Sequence, residues 1–154
     1  MRIEPLTDQE SLIRELAQLH FNEWGHYRPD ETIEARTSRL RTCCGAGPIP
    51  AVVVGLLGSE LCGSAMLVAQ DMESRPELTP WLAGVYVKPH YRRRGFASAL
   101  VARIVENAQS LGIPRLYLYT DDWESLYARL GWSVLERCPY KGIHVVVMSR
   151  ALSV

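Results

Sequence analysis

The sequence predicts an α/β domain with a mixed, mostly antiparallel sheet of about seven strands and helices on both faces. Patterns typical of strands and of amphipathic helices alternate along the chain. One series of strand, long helix and strand runs from residue 81 to 119, and such a crossover pairs its two strands in parallel. With 154 residues and 17.4 kDa, the chain has the size of one domain, residues 1–154.

The chain begins with a short edge strand, residues 2–6. Thr7 and Glu10 then fit a capping box, which predicts the start of a helix. The apolar stripe of that helix consists of Ile13, Leu16, Ala17, His20 and Trp24. Asp30 is the expected N-cap of a second helix. Its inward face is predicted to hold Ile33, Thr37 and Leu40.

A β-hairpin is predicted in the middle of the chain. Residues 51–57 are apolar throughout, as in a buried strand, and Gly58 and Ser59 form a tight turn into a second strand, residues 61–69. A polar, proline-containing loop over residues 70–80 leads to a further strand, residues 81–87.

The longest helix is predicted to start after Gly95 and to stop at Gly112. Its stripe toward the sheet consists of Leu100, Ile104, Ala108 and Leu111. Residues 115–119 then form the strand that completes the parallel unit.

The last elements are a short helix and a closing pair of strands. Asp121 and Glu124 resemble a second capping box, which places Asp121 at the start of the short helix. Residues 132–136 and 144–150 are predicted to pair antiparallel.

Charge and hydropathy exclude several classes of function. Seventeen Lys and Arg against seventeen Asp and Glu give a formal net charge of zero, so no broad positive field can hold nucleic acid or an anionic membrane. The apolar run of residues 51–57 is too short for a bilayer, which takes about 20 residues. The N-terminus lacks an apolar signal segment. We therefore expect a cytoplasmic protein that binds neither nucleic acid nor membrane.

Cysteines and histidines form no recognisable metal or redox motif. No cysteine pair has C-x-x-C spacing, and no histidine stands three or four residues from another. We expect no metal and four reduced thiols, at Cys43, Cys44, Cys62 and Cys138.

The residues that open the longest helix predict a phosphate site. A helix N-terminus offers unpaired N–H groups and the positive end of the dipole. Gly95 lets the backbone come close to a ligand, and Ala97 adds little bulk. A solvated basic loop is the alternative interpretation. Neither G-x-G-x-x-G nor G-x-x-x-x-G-K-[ST] occurs, which disfavours Rossmann dehydrogenases and nucleotide hydrolases.

Two segments resemble signatures of the GCN5-related N-acetyltransferases. Residues 85–97 resemble the family's acetyl-coenzyme A motif, [QR]-x-x-G-x-[GA] after a strand. Its defined positions are filled by Arg92, Gly95 and Ala97. Residues 126–132 are similar to a second signature, in which Tyr and two further residues precede Leu-Gly-aromatic. The resemblance is sharp over residues 81–133 and looser elsewhere.

The resemblance implies acetyl-coenzyme A as cosubstrate and gives individual residues a role. Strand backbone would pair with the pantetheine arm, and loop amides would hold the pyrophosphate. The cofactor residues so implied are Val85, Tyr86, Val87, Arg92, Arg93, Arg94, Gly95, Phe96, Ala97 and Ser98. Tyr127 would protonate the departing thiolate, and a core aromatic residue is the alternative for this position.

The chain departs from the family pattern where a base is needed. Some members carry a glutamate four residues before the first cofactor-pairing residue of the strand, and Trp81 stands there in this chain. We expect Trp81 to border the acceptor. Substitute bases, each with a surface role as the alternative, are Glu60, Glu124, His90 and His144. At pH 7 an α-amine is roughly 14% neutral and a lysine amine only about 0.04%, so the missing base favours a low-pKa amine.

A narrower resemblance concerns the acceptor. Residues 36–40 and the short connection of residues 119–127 are similar to the branch that acetylates acidic actin N-termini. This resemblance implies that Arg36 and Arg39 bind an acidic peptide. A solvent-facing helix flank is the alternative.

We predict direct transfer of an acetyl group from acetyl-coenzyme A to a primary amine in a ternary complex. The acceptor is a small-molecule amine or a peptide N-terminus, and a homodimer is left open. The alternative function is a non-catalytic acyl-coenzyme A sensor or interaction module.

Overall fold

Seven strands form one mixed sheet in the computed structural model, which describes residues 1–6, 10–45 and 47–153. The order across the sheet is β1-β2-β3-β4-β5-β7-β6. The strands are β1 (Arg2–Pro5), β2 (Ala51–Leu57), β3 (Glu60–Val68), β4 (Trp81–Val87), β5 (Arg115–Thr120), β6 (Ser133–Tyr140) and β7 (Ile143–Ala151). The α-helices are α1 (Glu10–Trp24), α2 (Ile33–Thr42), α3 (Phe96–Ser110) and α4 (Glu124–Arg129). The predicted fold class is confirmed. The capping box at Thr7 involves residues 7–9, which lie outside the described residues.

One strand pair in the sheet is parallel. Neighbouring strands pair antiparallel everywhere except between β4 and β5. The described register of β4 and β5 joins only Trp81 to Tyr117, and the two strands separate beyond that point. The opening leaves the rest of β4 without a neighbour on the β5 side.

Helices cover both faces of the sheet. Val52 and Val54 of β2 pack in the cluster formed with α1 and α2, whereas Val53 packs in the cluster formed with α3, as strand alternation requires. The buried residues of α3 are Leu100, Val101, Ile104, Val105 and Ala108. The prediction for Leu111 is wrong: it is the C-cap of α3 and 44% exposed. The helix ends before Leu111 completes the stripe.

The second helix starts later than predicted. Glu31 N–H donates to the Arg28 carbonyl at 3.0 Å, which places Asp30 inside a turn. The N-cap of α2 is Thr32, whose hydroxyl accepts a hydrogen bond from Ala35 N–H at 3.0 Å. Asp30 is therefore not the cap.

The predicted cap of the short helix is also wrong. Trp123 is the N-cap of α4, and its N–H donates to Thr120 Oγ1 at 3.2 Å. Asp121 stands two residues before the N-cap and is therefore not the cap.

The closing strands are longer than predicted. They are joined by Lys141 and Gly142, which have φ angles of 50° and 81°, as in a tight hairpin turn. Pro139 lies in β6, which a sheet-edge strand tolerates because one side needs no N–H donor. Pro139 therefore did not end the strand.

In the described part of the chain, no helix is both long and apolar enough to cross a membrane. The cytoplasmic location stays a prediction. These residues also contain no group of three or more His, Cys, Asp or Glu side chains that could hold a metal ion.

Candidate active site

Two adjoining cavities lie where β4 and β5 separate. The main cavity has a volume of about 550 Å³, within the range typical of small-molecule sites. A second cavity of about 400 Å³ lies between the loop before α3 and the helix α4. Val87, Arg92 and Trp123 line both, so the cavities form one cleft.

A β-bulge in β4 forms part of the main cavity wall. Ser64 pairs with Tyr86 and Met66 with Ala83, so β4 has one residue more than β3 between these pairs. The bulge contains Gly84, with a φ of +57°, and a Cβ there would lie 2.5 Å from Met66 Sδ. The positive φ favours glycine at this position, and the Met66 side chain would have to move to admit a Cβ.

A buried hydrogen-bond chain holds the bulge. The Ser64 hydroxyl donates to the Gly84 carbonyl at 2.8 Å, and His20 Nε2 lies 2.9 Å from the same hydroxyl oxygen. Since the Ser64 proton is used on Gly84, we assign the Nε2–H tautomer to His20, with Ser64 as its acceptor. Burial, and then the positive charge of Arg36, lower the pKa of His20 to about 3. His20 is therefore neutral at physiological pH.

The start of α3 has the geometry of a phosphate-binding loop. Gly95 is the N-cap with a φ of 78°, and a Cβ there would meet nothing within 4 Å. Open space thus lies directly over the loop. The N–H groups of the first helical turn have no acceptor within the helix. They belong to Phe96, Ala97 and Ser98, and all three residues line the second cavity.

The basic side chains of this loop differ in their contacts. Arg92 Nε–H donates to the Val87 carbonyl at 2.8 Å, which ties the loop to the end of β4. Arg93, with a φ of 65°, lines the second cavity. The Arg94 guanidinium lies 5.5 Å from the centre of the Tyr91 ring, and Arg94 is on neither described cavity wall.

Tyr127 of α4 lines the main cavity. Its ring is 6% exposed and packs edge-on against Trp132, with 6.2 Å between ring centres. Burial raises the pKa of its hydroxyl well above the usual value. Tyr127 therefore belongs to the core and to the cavity wall, and it holds its proton at neutral pH.

Trp81 lies in the core behind the cavity. It is fully buried, and its indole N–H donates to the Leu78 carbonyl at 2.6 Å. The described lining does not include it. The ring packs against Tyr119, which does line the cavity, with 6.3 Å between ring centres. Trp81 is therefore placed to support the wall from behind.

Arg36 and Arg39 both line the main cavity. Both donate to the same Glu31 carboxylate oxygen, at 2.9 Å and 2.5 Å, and the Glu31 side chain is 1% exposed. Glu31 therefore offsets part of their positive charge. The buried Nε of Arg36 has no hydrogen-bond partner among the described residues.

Carboxylates that the sequence analysis had not singled out as bases also line the main cavity. Asp71 is partly buried. The exposed members are Glu23, Asp121 and Asp122. No motif marked them: Asp71 lies in an irregular loop, and Asp121 had been assigned to a helix cap.

The four substitute bases considered from sequence are absent from the described cavity lining. Glu60 accepts a hydrogen bond from the Tyr91 hydroxyl. Glu124 accepts two from the Arg137 guanidinium, at 2.7 Å and 2.9 Å. His90 and His144 are exposed. The structure thus places these side chains on the surface rather than at the cavity.

The family assignment follows from comparison with known proteins. A model of the acetyltransferase (GNAT) family matches residues 10–132, which is most of the chain. The chain belongs to the acetyltransferase (GNAT) family. This GNAT protein is therefore an acetyl-coenzyme A-dependent N-acetyltransferase, as the two sequence signatures implied.

Solved structures share the fold of this GNAT protein at low sequence identity. An aminoglycoside 6'-N-acetyltransferase complexed with coenzyme A is 17% identical, with a TM-score of 0.75, over 100% of this chain and 98% of that one. A ribosomal-protein-alanine N-acetyltransferase from Brucella melitensis is 18% identical, with a TM-score of 0.76, over 99% and 100%. A putative acetyltransferase, yncA, from Salmonella typhimurium with acetyl-coenzyme A is 14% identical, with a TM-score of 0.74, over 100% and 96%.

Proposed function

We propose that residues 1–154 form one N-acetyltransferase domain that acetylates a primary amine by direct attack in a ternary complex. The observation that carries this proposal is the junction of the two cavities. The phosphate-type loop opens into one cavity and Tyr127 lines the other, and the walls meet at Val87, Arg92 and Trp123. A donor held at the loop can thus extend toward Tyr127.

The residues at the cleft fit acetyl-coenzyme A. The open space over Gly95 and the free amides of the first α3 turn suit a pyrophosphate. The unpaired part of β4 offers backbone groups to the amides of the pantetheine arm. The bound thioester would supply an activated acetyl group. The residues that would hold it are Val85, Tyr86, Val87, Arg92, Arg93, Gly95, Phe96, Ala97 and Ser98, whereas Arg94 would act only through the shape of the loop.

Tyr127 is the proposed proton donor for the leaving thiolate. Burial raises the pKa of its hydroxyl, so the proton is in place at neutral pH. The same shift makes the hydroxyl a weak acid, so its donation requires the negative charge that develops on sulfur beside it. General acid assistance of this kind contributes typically about 10² to 10⁴-fold to rate. Its packing against Trp132 would fix the ring for this step.

A covalent acyl-cysteine is not part of the proposal. Cys43 lines the main cavity, and burial raises the pKa of its thiol. A raised pKa reduces the thiolate that such a step needs. Direct attack by the amine requires no such nucleophile.

We further propose a positively charged small-molecule amine as acceptor. The carboxyl groups of Glu23, Asp121 and Asp122 at the cavity wall can attract a cation. Glu31 offsets part of the charge of Arg36 and Arg39, and the other basic side chains of the lining are Arg28, Arg92 and Lys141. Aminoglycoside acetyltransferases among the similar folds are consistent with such an acceptor. A peptide N-terminus remains the alternative.

Release of free coenzyme A thiol from acetyl-coenzyme A tests the proposal. We would supply spermidine, kanamycin, ethanolamine and tetrapeptides with neutral and acidic N-termini. Thiol release that requires an amine, with the acetylated amine found by mass spectrometry, is the expected result. Binding of acetyl-coenzyme A without amine-dependent release across this panel would instead support the sensor function.

A further inference from the structure

We propose that Asp71 is the general base that deprotonates the acceptor amine. On β4, Trp81 stands at the position where some family members carry a glutamate, so that strand supplies no carboxylate there. This inference rests on the proposed function and adds the residue that makes the amine nucleophilic. Asp71 lies in the loop between β3 and β4 and lines the same cavity as Tyr127.

Several contacts fix the loop that carries Asp71. Met72, its neighbour, is 1% exposed and packs in a core cluster with Trp81. Glu73 N–H donates to the Tyr140 hydroxyl at 3.1 Å, and Thr79 Oγ1 donates to the Ala69 carbonyl at 2.6 Å. Asp71 is thus held between anchored residues, which a positioned proton acceptor requires.

Asp71 lies on the part of the cavity wall that Trp81 supports from the core. Trp81 packs on Tyr119, and Tyr119 packs on Tyr140 with 5.3 Å between ring centres. Tyr119 and Tyr140 both line the cavity beside the Asp71 loop. The Trp81 indole therefore fills the core behind this wall. The carboxyl group at the wall is that of Asp71, which belongs to the loop between β3 and β4 and not to β4 itself.

The surroundings of Asp71 suit a base that works near neutral pH. Burial raises its pKa to about 7, although Arg28 and Lys141 act in the opposite direction. A base with a pKa near the working pH combines a useful ionised fraction with a strong pull on the proton. The charged and titratable groups that interact with Asp71 are Arg28, Lys141 and Tyr119. Tyr27 and Tyr140 in turn interact with Tyr119.

Other groups on the cavity wall fit this role less well. His20 has a pKa of about 3, and its Nε2–H is assigned to the bond with Ser64, so it is too weak a base. Glu23, Asp121 and Asp122 are exposed at the wall. Their position suits attraction of a cation more than deprotonation inside the cavity.

The proposed reaction balances in protons and electron pairs. The Asp71 carboxylate takes one proton from the ammonium, and the freed lone pair forms the new bond from nitrogen to the acetyl carbon. The bond from that carbon to sulfur breaks, with its electron pair going to sulfur, which takes the Tyr127 proton. Tyr127 regains a proton from the acylated nitrogen through water. Asp71 then releases its proton to solvent, so the net products are amide, thiol and one proton.

The pH dependence of kcat/KM tests this assignment in Asp71→Asn. The acceptor would be the best substrate of the amine panel, and Glu73→Gln, an exposed carboxylate in the same loop, is the matched control. For wild type and Glu73→Gln we expect kcat/KM to rise up to a pH of about 7. In Asp71→Asn we expect about a 10² to 10⁴-fold loss at pH 7 and a profile that follows deprotonation of the free amine.

A second measurement does not depend on turnover. Carbon NMR of 13C-labelled carboxyl groups, with Asp71→Asn to assign the signal, is expected to show a carboxyl that titrates near pH 7. Titration near pH 4 overturns the proposal. Circular dichroism and coenzyme A affinity show whether the variant remains folded.

The outcomes separate the two proposals. Coenzyme A binding with no amine acetylated by wild type overturns the proposed function. Acetylation with the same pH profile in Asp71→Asn overturns only the assignment of Asp71. A higher KM with the rise near pH 7 retained would make Asp71 an anchor for the acceptor and would also overturn its role as base.

Discussion

His20 Nε2 lies 2.9 Å from Ser64 Oγ, and the contact joins α1 to the centre of the sheet. Both residues are buried, with 2% and 0% exposure. Through Ser64, the imidazole reaches the Gly84 carbonyl in the bulge of β4. A neutral histidine is thus linked through Ser64 to the part of the main cavity wall that contains Gly84.

We expect His20 to make the protein less stable in acid. Its pKa is about 3 when folded and near 6.5 when unfolded. Between these values the unfolded state binds more protons, so the free energy of unfolding falls as pH decreases, by up to about 1.4 kcal/mol per pH unit. In His20→Gln this contribution is lost, so urea unfolding between pH 6.5 and 4 should show a weaker pH dependence than in wild type.

The control for this measurement is His144→Gln, because His144 is exposed. Asp71 has an opposite effect on stability throughout this range, because its pKa is raised from 3.8 to about 7 and the folded state then binds more protons. That effect is present in all three proteins and cancels in the comparison. Parallel curves for His20→Gln and wild type would contradict the assignment of a buried neutral imidazole.

Gly95→Glu is expected to abolish most coenzyme A binding. The carboxylate would stand at a helix N-terminus where a pyrophosphate is expected, so calorimetry should show at least about a tenfold loss of affinity. Gly112→Glu at the other end of α3 is the matched control. Both glycines have positive φ angles, 78° and 74°, and open space around a Cβ. The strain of substitution is therefore similar, and equal affinities in the two variants would place the cofactor elsewhere.

Tyr127→Phe separates proton donation from packing. The ring that contacts Trp132 is retained, so we expect the melting temperature and coenzyme A affinity to stay close to those of wild type. Without the hydroxyl, kcat should fall about 10²-fold, the weak end of general acid catalysis, because a thiol with a cysteine-like pKa near 8.5 leaves fairly well unaided.

Tyr117→Phe is the control for this prediction. Tyr117 packs on Trp81 and is not on the described cavity lining, so its hydroxyl should not affect kcat. An unchanged kcat in Tyr127→Phe would leave water or the substrate to protonate the thiolate. A large loss of stability would favour the interpretation of Tyr127 as a core residue.

Arg36→Ala and Arg39→Ala decide the acidic-peptide hypothesis. If these side chains bind an acidic N-terminus, KM for such a peptide should rise while the affinity for acetyl-coenzyme A stays constant. The pairing of both with Glu31 predicts instead that wild type acetylates neutral and acidic peptides with similar kcat/KM. A preference of tenfold or more for the acidic peptide would show that Glu31 does not prevent recognition.

The sequence by itself determined the order of the helices and strands and the position of the phosphate-type loop, but not the N-caps of α2 and α4. The apolar period of α3 and the glycine that precedes it depend on a few neighbouring residues, so the helix and its start could be predicted locally. Only the tertiary structure shows that Asp71 lies on the cavity wall and that Trp81 is buried in the core. It also shows that Arg36 and Arg39 form ion pairs with Glu31. Burial and charge pairing at a cavity depend on side chains brought together from distant parts of the chain, and no spacing along the sequence records that proximity.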